Sequence, residues 1–103
     1  GEDGHTASLF PGDSAIREKH RLVIPVIAPA NYPSRDRITL TLPVINSADN
    51  VFFIAAGSEK GKVIRSILED REAARGLYPA AMVEPKGRIV WFLDNKAYIA
   101  HKK

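Results

Sequence analysis

The 103 residues predict an α/β fold with a largely parallel sheet. Three observations carry that expectation. Val51-Phe-Phe-Ile-Ala-Ala56 is an unbroken apolar run of strand length, the pattern of a central strand covered on both faces. After Gly57, the apolar residues Val63, Ile64, Ile67 and Leu68 recur at helical spacing. Strand-like and helix-like segments then alternate along the chain.

Taken in order, the first twelve residues are rich in turn formers and carry Asp3, Gly4 and His5. Residues 11–20 lack periodicity and read as a loop. Arg21 to Ala28 is β-branched and reads as a strand. Pro25 removes one ladder donor, so this strand should be an edge, bulged or broken. Pro29 and Pro33 stiffen a second loop that delivers Arg35 and Arg37. Ile38 to Leu42 alternates apolar residues with threonine, as a half-buried strand does. Pro43 suits the first position of a short helix through Ala48.

The link from Leu42 to Val51 is shorter than the about 10–12 residues that a parallel crossover needs. The strand near 37–42 should therefore run antiparallel to Val51–Ala56 or lie in another layer. Gly57 ends the central strand, and Ser58 reads as the N-cap of a helix from Glu59 to about Asp70. Gly61 weakens its first turn unless backbone must approach there. Residues 71–78 read as a helical turn or loop, and Pro79 to Met82 as a further turn. Ile89 to Leu93 is the last strand. Asp94 can cap a terminal helix through Ala100, and Lys102 and Lys103 should fray.

Composition narrows the function classes. A hydrophobic fraction of 45% with 26% charged residues is that of a globular protein. No cysteine is present, which leaves no disulfide, thiol nucleophile or thiolate metal site. No His pair stands at ligand spacing either, so a metal site is not expected. Net charge is +3. The cations are scattered, carboxylates punctuate them, and no aromatics interleave, so nucleic acid is not the expected partner. No apolar run is long enough to span a membrane.

Two clusters can carry chemistry. Asp3 and His5 stand two apart across Gly4, which can adopt positive φ and bring them together. Asp3 would then orient His5 as a general base. The plainer reading is a polar Asp-Gly turn. Gly57-Ser58-Glu59-Lys60 joins a strand to a helix, where open α/β sheets bind ligands. Free N–H groups and Lys60 could hold a phosphate there, or Lys60 could simply be solvated. If the strand at Arg37 ran antiparallel to Val51–Ala56, Arg37 would start at the same end and converge with Lys60 on one anion. Arg35 reads as an exposed loop cation with a possible binding role.

Gly1-Glu-Asp-Gly-His-Thr-Ala-Ser-Leu-Phe-Pro11 resembles the signature of the 6-phosphogluconolactonase family, in the glucosamine-6-phosphate isomerase/deaminase superfamily. The resemblance continues through Arg37-Ile-Thr-Leu-Thr-Leu-Pro43, Gly57-Ser-Glu-Lys60, Pro79-Ala-Ala-Met-Val83 and Arg88-Ile-Val-Trp-Phe-Leu-Asp94. It implies a Rossmann-like core, and residues 1–103 as the C-terminal part of one domain whose N-terminal half is absent. It implies hydrolysis of a phosphosugar lactone to 6-phosphogluconate, without a cofactor, by a cytoplasmic enzyme of the pentose phosphate pathway. It assigns His5 and Asp3 to catalysis and Arg37 and Lys60 to the substrate phosphate, with Gly4 and Arg35 as further binding positions. Sugar-phosphate deaminases of the superfamily resemble the same stretch but typically carry glutamate where Phe10 stands, which favours lactone hydrolysis. A non-catalytic phosphosugar sensor would need the cations but not the Asp3–His5 pair. The residues alone are expected to be poorly active and to self-associate through exposed strand edges.

Overall fold

The computed structural model describes residues 1–102 as two small sheets joined by short helices. Strands β1 (Val23–Ile27) and β2 (Asp36–Leu40) pair antiparallel in one sheet. Helix α1 (Leu42–Asn46) leads to β3 (Asn50–Ala55), which pairs in parallel with β4 (Arg88–Leu93) in the other. Helices α2 (Gly61–Glu69) and α3 (Arg71–Arg75) lie in the crossover between β3 and β4, and α4 (Asn95–Lys102) closes the described chain.

Local chemistry explains most boundaries. Pro25 sits mid-strand opposite Ile38 and is tolerated because β1 has β2 as its sheet neighbour and a free outer edge. Of the two alternatives for the strand near 37–42, the second holds: it belongs to the other sheet. The expected loop at 11–20 contains a 3-10 turn, Ser14–Arg17, because the Asp13 carboxylate accepts from Ala15 N–H at 3.1 Å. Asp70 does the same for α3 by accepting from Ala73 N–H.

Four expectations change. Ser58 does not cap α2: residues Ser58–Lys60 form a 3-10 turn after Gly57, whose φ is 97°, and α2 starts at Gly61. The carboxylate of Asp94 instead accepts from Ala97 N–H at 2.8 Å and from Gly57 N–H at 3.1 Å, tying the end of β3 to the start of α4. Those N–H groups, Ala97 first, hold the Asp94 carboxyl below its ordinary range. Leu68 leaves the buried stripe of α2 and is half exposed, while Val63, Ile64 and Ile67 are buried.

The third change concerns β3. Its Phe53 face packs on α2 and Trp91, but the other face is bare, with Phe52 57%, Ile54 84% and the neighbouring Phe92 51% exposed. The apolar run is that of a strand covered twice, but the helices of the crossover cover only one side among the described residues. Lys102, expected to fray, closes α4 with its ammonium 4.5 Å from the Tyr98 ring centroid, and Lys103 lies outside the described residues. No described helix is long and apolar enough to cross a membrane.

Two cores hold the site between them. Leu9 and Phe10 join Ile24, Val26, Leu42 and Val83, while Val63, Ile67, Ala74 and Ala81 form the second. Phe53 touches both. Gly61 is where α4 crosses α2: a Cβ there would stand 2.5 Å from Ala100 Cβ and 2.7 Å from its carbonyl carbon. Gly61→Ala gains about 1 kcal/mol of helix propensity. Overpacking against backbone costs about 1–3 kcal/mol, so the clash should win. A lower Tm is expected by calorimetry; a raised one would show that α4 does not sit there.

Candidate active site

The site is built on the Asp3-Gly4-His5 turn. Gly4 N–H donates to Gly1 O at 3.0 Å, and Gly4 takes φ 86°, which a side chain would resist. There is also no room for one, since a Cβ on Gly4 would lie 2.3 Å from Tyr78 Cδ1. Gly4 O accepts from Ala80 N–H at 3.0 Å, which fastens the turn to the 3-10 segment Pro79–Met82. A second turn closes with Leu9 N–H on Thr6 O, and Ser8 N–H donates to the Thr39 hydroxyl of β2 at 3.1 Å. Leu9 and Phe10 are buried beneath. Both cores and both sheets therefore hold this loop in place.

The turn brings carboxylate and imidazole together as the sequence suggests. His5 Nδ1 lies 2.6 Å from Asp3 Oδ1, which also accepts from His5 backbone N–H at 3.0 Å. A third residue joins them. The Tyr32 hydroxyl donates to Asp3 Oδ2 at 2.8 Å and lies 3.1 Å from His5 Nδ1. Burial pushes the Asp3 carboxyl up, but the His5 N–H, the Tyr32 hydroxyl and the imidazole outweigh it and hold it below the carboxylate range. Asp3 is thus ionised at neutral pH and can only accept. An acceptor 2.6 Å from Nδ1 requires a proton on Nδ1, which leaves the lone pair of neutral His5 on Nε2.

His5 borders a cleft of ≈ 240 Å³ with Gly4, Thr6, Lys60, Ile64 and Trp91. His5 and one of the two expected cations, Lys60, therefore share a wall. Arg37 reaches the neighbourhood by another route, because β2 is not beside β3 and the geometry that would have converged Arg37 with Lys60 does not arise. Its guanidinium lies over Tyr32 and Phe10, at 5.3 and 5.6 Å from the ring centroids, and Nε donates to Ser34 O. The same two rings flank His5, with centroids at 5.4 and 4.8 Å. Arg35 uses its Nε on Ala28 O, bracing the β1–β2 loop. Among the described residues, no group of three or more His, Asp or Glu side chains is placed to hold a metal.

Comparison with known proteins shows the family. Residues 1–91 match the family model described as glucosamine-6-phosphate isomerases/6-phosphogluconolactonase. The chain is 49% identical over 98 residues to 6-phosphogluconolactonase of Rattus norvegicus and 46% to that of Homo sapiens, covering 94% of this chain and 37% of each relative. Among solved structures, 6-phosphogluconolactonase from Leishmania guyanensis superposes with a TM-score of 0.81 at 30% identity, over 94% of this chain and 37% of that one. The Thermotoga maritima enzyme gives 0.71 at 36% identity, over 90% and 39%. The chain thus spans a little over a third of the length of these relatives. By its match to the family model and its identity to these relatives, the chain belongs to the glucosamine-6-phosphate isomerase/6-phosphogluconolactonase family.

Proposed function

We propose that these residues carry the base and part of the phosphate site of an enzyme that hydrolyses 6-phosphoglucono-1,5-lactone to 6-phosphogluconate. The observation that carries the reading is an Asp3-oriented His5 on the same cleft as Lys60. A lactone is a reactive ester, so hydrolysis needs an activated water and a held substrate. His5 Nε2 takes a proton from water as its oxygen bonds to C1. The tetrahedral adduct collapses, the C1–ring oxygen bond breaks, and His5 returns the proton to the ring oxygen. Asp3 stabilises the imidazolium formed between the two steps. Lys60, on the cleft with His5, holds the 6-phosphate, with Arg37 as the second cation that the family resemblance assigns to it, so that the reach of the substrate sets C1 beside the base.

Phe10 supports hydrolysis over deamination. It is buried against the His5 ring and offers no proton carrier. The cleft of ≈ 240 Å³ is small beside the roughly 300–1,000 Å³ of most small-molecule sites. The rest of the wall is expected from residues that the longer relatives have and these 103 lack, so these alone should turn over lactone poorly. The bare faces of β3 and β4 favour self-association in their place, and the absence of cysteine suits a reducing cytoplasm.

In a protein of the relatives' length that carries these residues, Lys60→Ala should raise KM for the lactone about 10–100-fold, the loss of one charge-assisted bond. kcat should change little. Steady-state kinetics with an unchanged KM would remove Lys60 from the phosphate site.

A further inference from the structure

Tyr32 stands at the junction of the two halves of the site. Its hydroxyl engages Asp3, its ring meets His5 edge-on at 87°, and its face lies under Arg37. We infer that Tyr32 is a positioning residue, resting on the base assigned above: its hydroxyl selects the His5 tautomer through Asp3, and its ring seats the Arg37 guanidinium.

The hydroxyl has one proton and gives it to Asp3 Oδ2 at 2.8 Å. Oη then presents only lone pairs to His5 Nδ1 at 3.1 Å. Both oxygens around Nδ1 are acceptors, so a proton on Nδ1 satisfies both and its absence sets lone pair against lone pair. Burial, followed by the bond to Asp3, pushes the Tyr32 hydroxyl up to about 12, so it keeps its proton throughout the neutral range. With Oδ2 occupied, Oδ1 is the oxygen left for the imidazole, and the carboxylate cannot rotate without breaking the tyrosine bond. The ring acts separately. Tyr32 and Phe10 pack at 5.1 Å between centroids and form the platform on which Arg37 lies. The guanidinium edge is thereby left for a phosphate, whereas a freely rotating side chain would have to be ordered at each binding event.

The two roles separate by substitution. Tyr32→Phe keeps the platform and deletes the hydroxyl; Tyr32→Leu deletes both. The first readout is the pair of ring ¹⁵N shifts of His5 in the 103-residue chain at pH 8, which needs no activity. The wild type should show the Nδ1–H form, and Tyr32→Phe should populate the Nε2–H form as well. Adding Tyr32→Phe to Asp3→Asn should produce a smaller further change than Tyr32→Phe alone, because the hydroxyl acts chiefly through the carboxylate. In a catalytically active protein of the relatives' length, Tyr32→Phe should lower kcat about 3–10-fold with KM unchanged, because only part of the charge-assisted bond to Asp3 bears on the tautomer. Tyr32→Leu should raise KM as well. Unaltered His5 shifts in Tyr32→Phe, or an equal shift on the Asp3→Asn background, would overturn the inference. A protein of the relatives' length that carries these residues and shows the Nδ1–H form yet never hydrolyses lactone would count against the lactonase reading alone.

Discussion

Replacing His5 with alanine is expected to lower kcat for lactone hydrolysis by about 10²–10⁴-fold, the usual contribution of a positioned acid–base group. KM should stay within a few-fold, because the phosphate cations are untouched. The argument is geometric. Asp3 fixes Nδ1 at 2.6 Å, so the free lone pair is on Nε2, and the ring borders the cleft that also contains Lys60. Among the described residues, no other side chain on that cleft is an imidazole or a carboxylate. His5→Gln keeps hydrogen-bonding capacity but cannot carry the proton, so it should be nearly as inactive as His5→Ala. Steady-state kinetics of both variants check this. A glutamine variant with near wild-type kcat would mean that His5 only binds.

Gly4→Ala should disable the site and destabilise the fold together. Positive φ costs a non-glycine residue about 1–2 kcal/mol, and forcing a methyl into packed side chain costs about 1–3 kcal/mol. The methyl would be directed at Tyr78, whose Cβ and Cδ1 are both closer than contact distance, so rotating the ring cannot relieve it. A loss of about 2–5 kcal/mol follows, out of a total stability of roughly 5–15 kcal/mol. For a chain of this size that is a fall in Tm of about 8–40 °C. Relief by moving the turn would break the Gly4 O to Ala80 N–H bond and carry Asp3 and His5 with it. Calorimetry and kinetics should therefore fall together. A Gly4→Ala protein with unchanged Tm would show that the turn is free of Tyr78.

Much of this was legible in the residues, for reasons that differ by element. Local chemistry announced itself: Asp94 as a cap, Pro25 as an edge residue, and the Asp3–His5 pair across a glycine all depend on neighbours within a few positions. Gly61 was readable as a place where something must approach, though not that Ala100 was the visitor. What stayed hidden was non-local. Tyr32 lies 27 residues from His5, in a proline-flanked loop with no periodicity, and only the docking of that loop on Phe10 brings it to the base. Its one sequence signal was an aromatic between two prolines, immediately ahead of the paired arginines. Arg37 was expected near Lys60 from strand direction, but β2 pairs with β1, and the arginine arrives over the aromatic rings instead. The bare face of β3 was unreadable because an apolar run records what a strand can bury, not what covers it in this chain.

The account depends on one spatial relation, a free imidazole nitrogen and a phosphate cation facing one cleft. The most direct measurement is a crystal structure, with 6-phosphogluconate bound, of a protein of the relatives' length that carries these residues. The product carboxyl carbon should stand beside His5, with a carboxylate oxygen about 2.6–3.2 Å from Nε2, and the phosphate should contact Lys60 and Arg37. A product bound in the reverse sense, with its phosphate against His5, or held on a face that touches none of these residues, would contradict it.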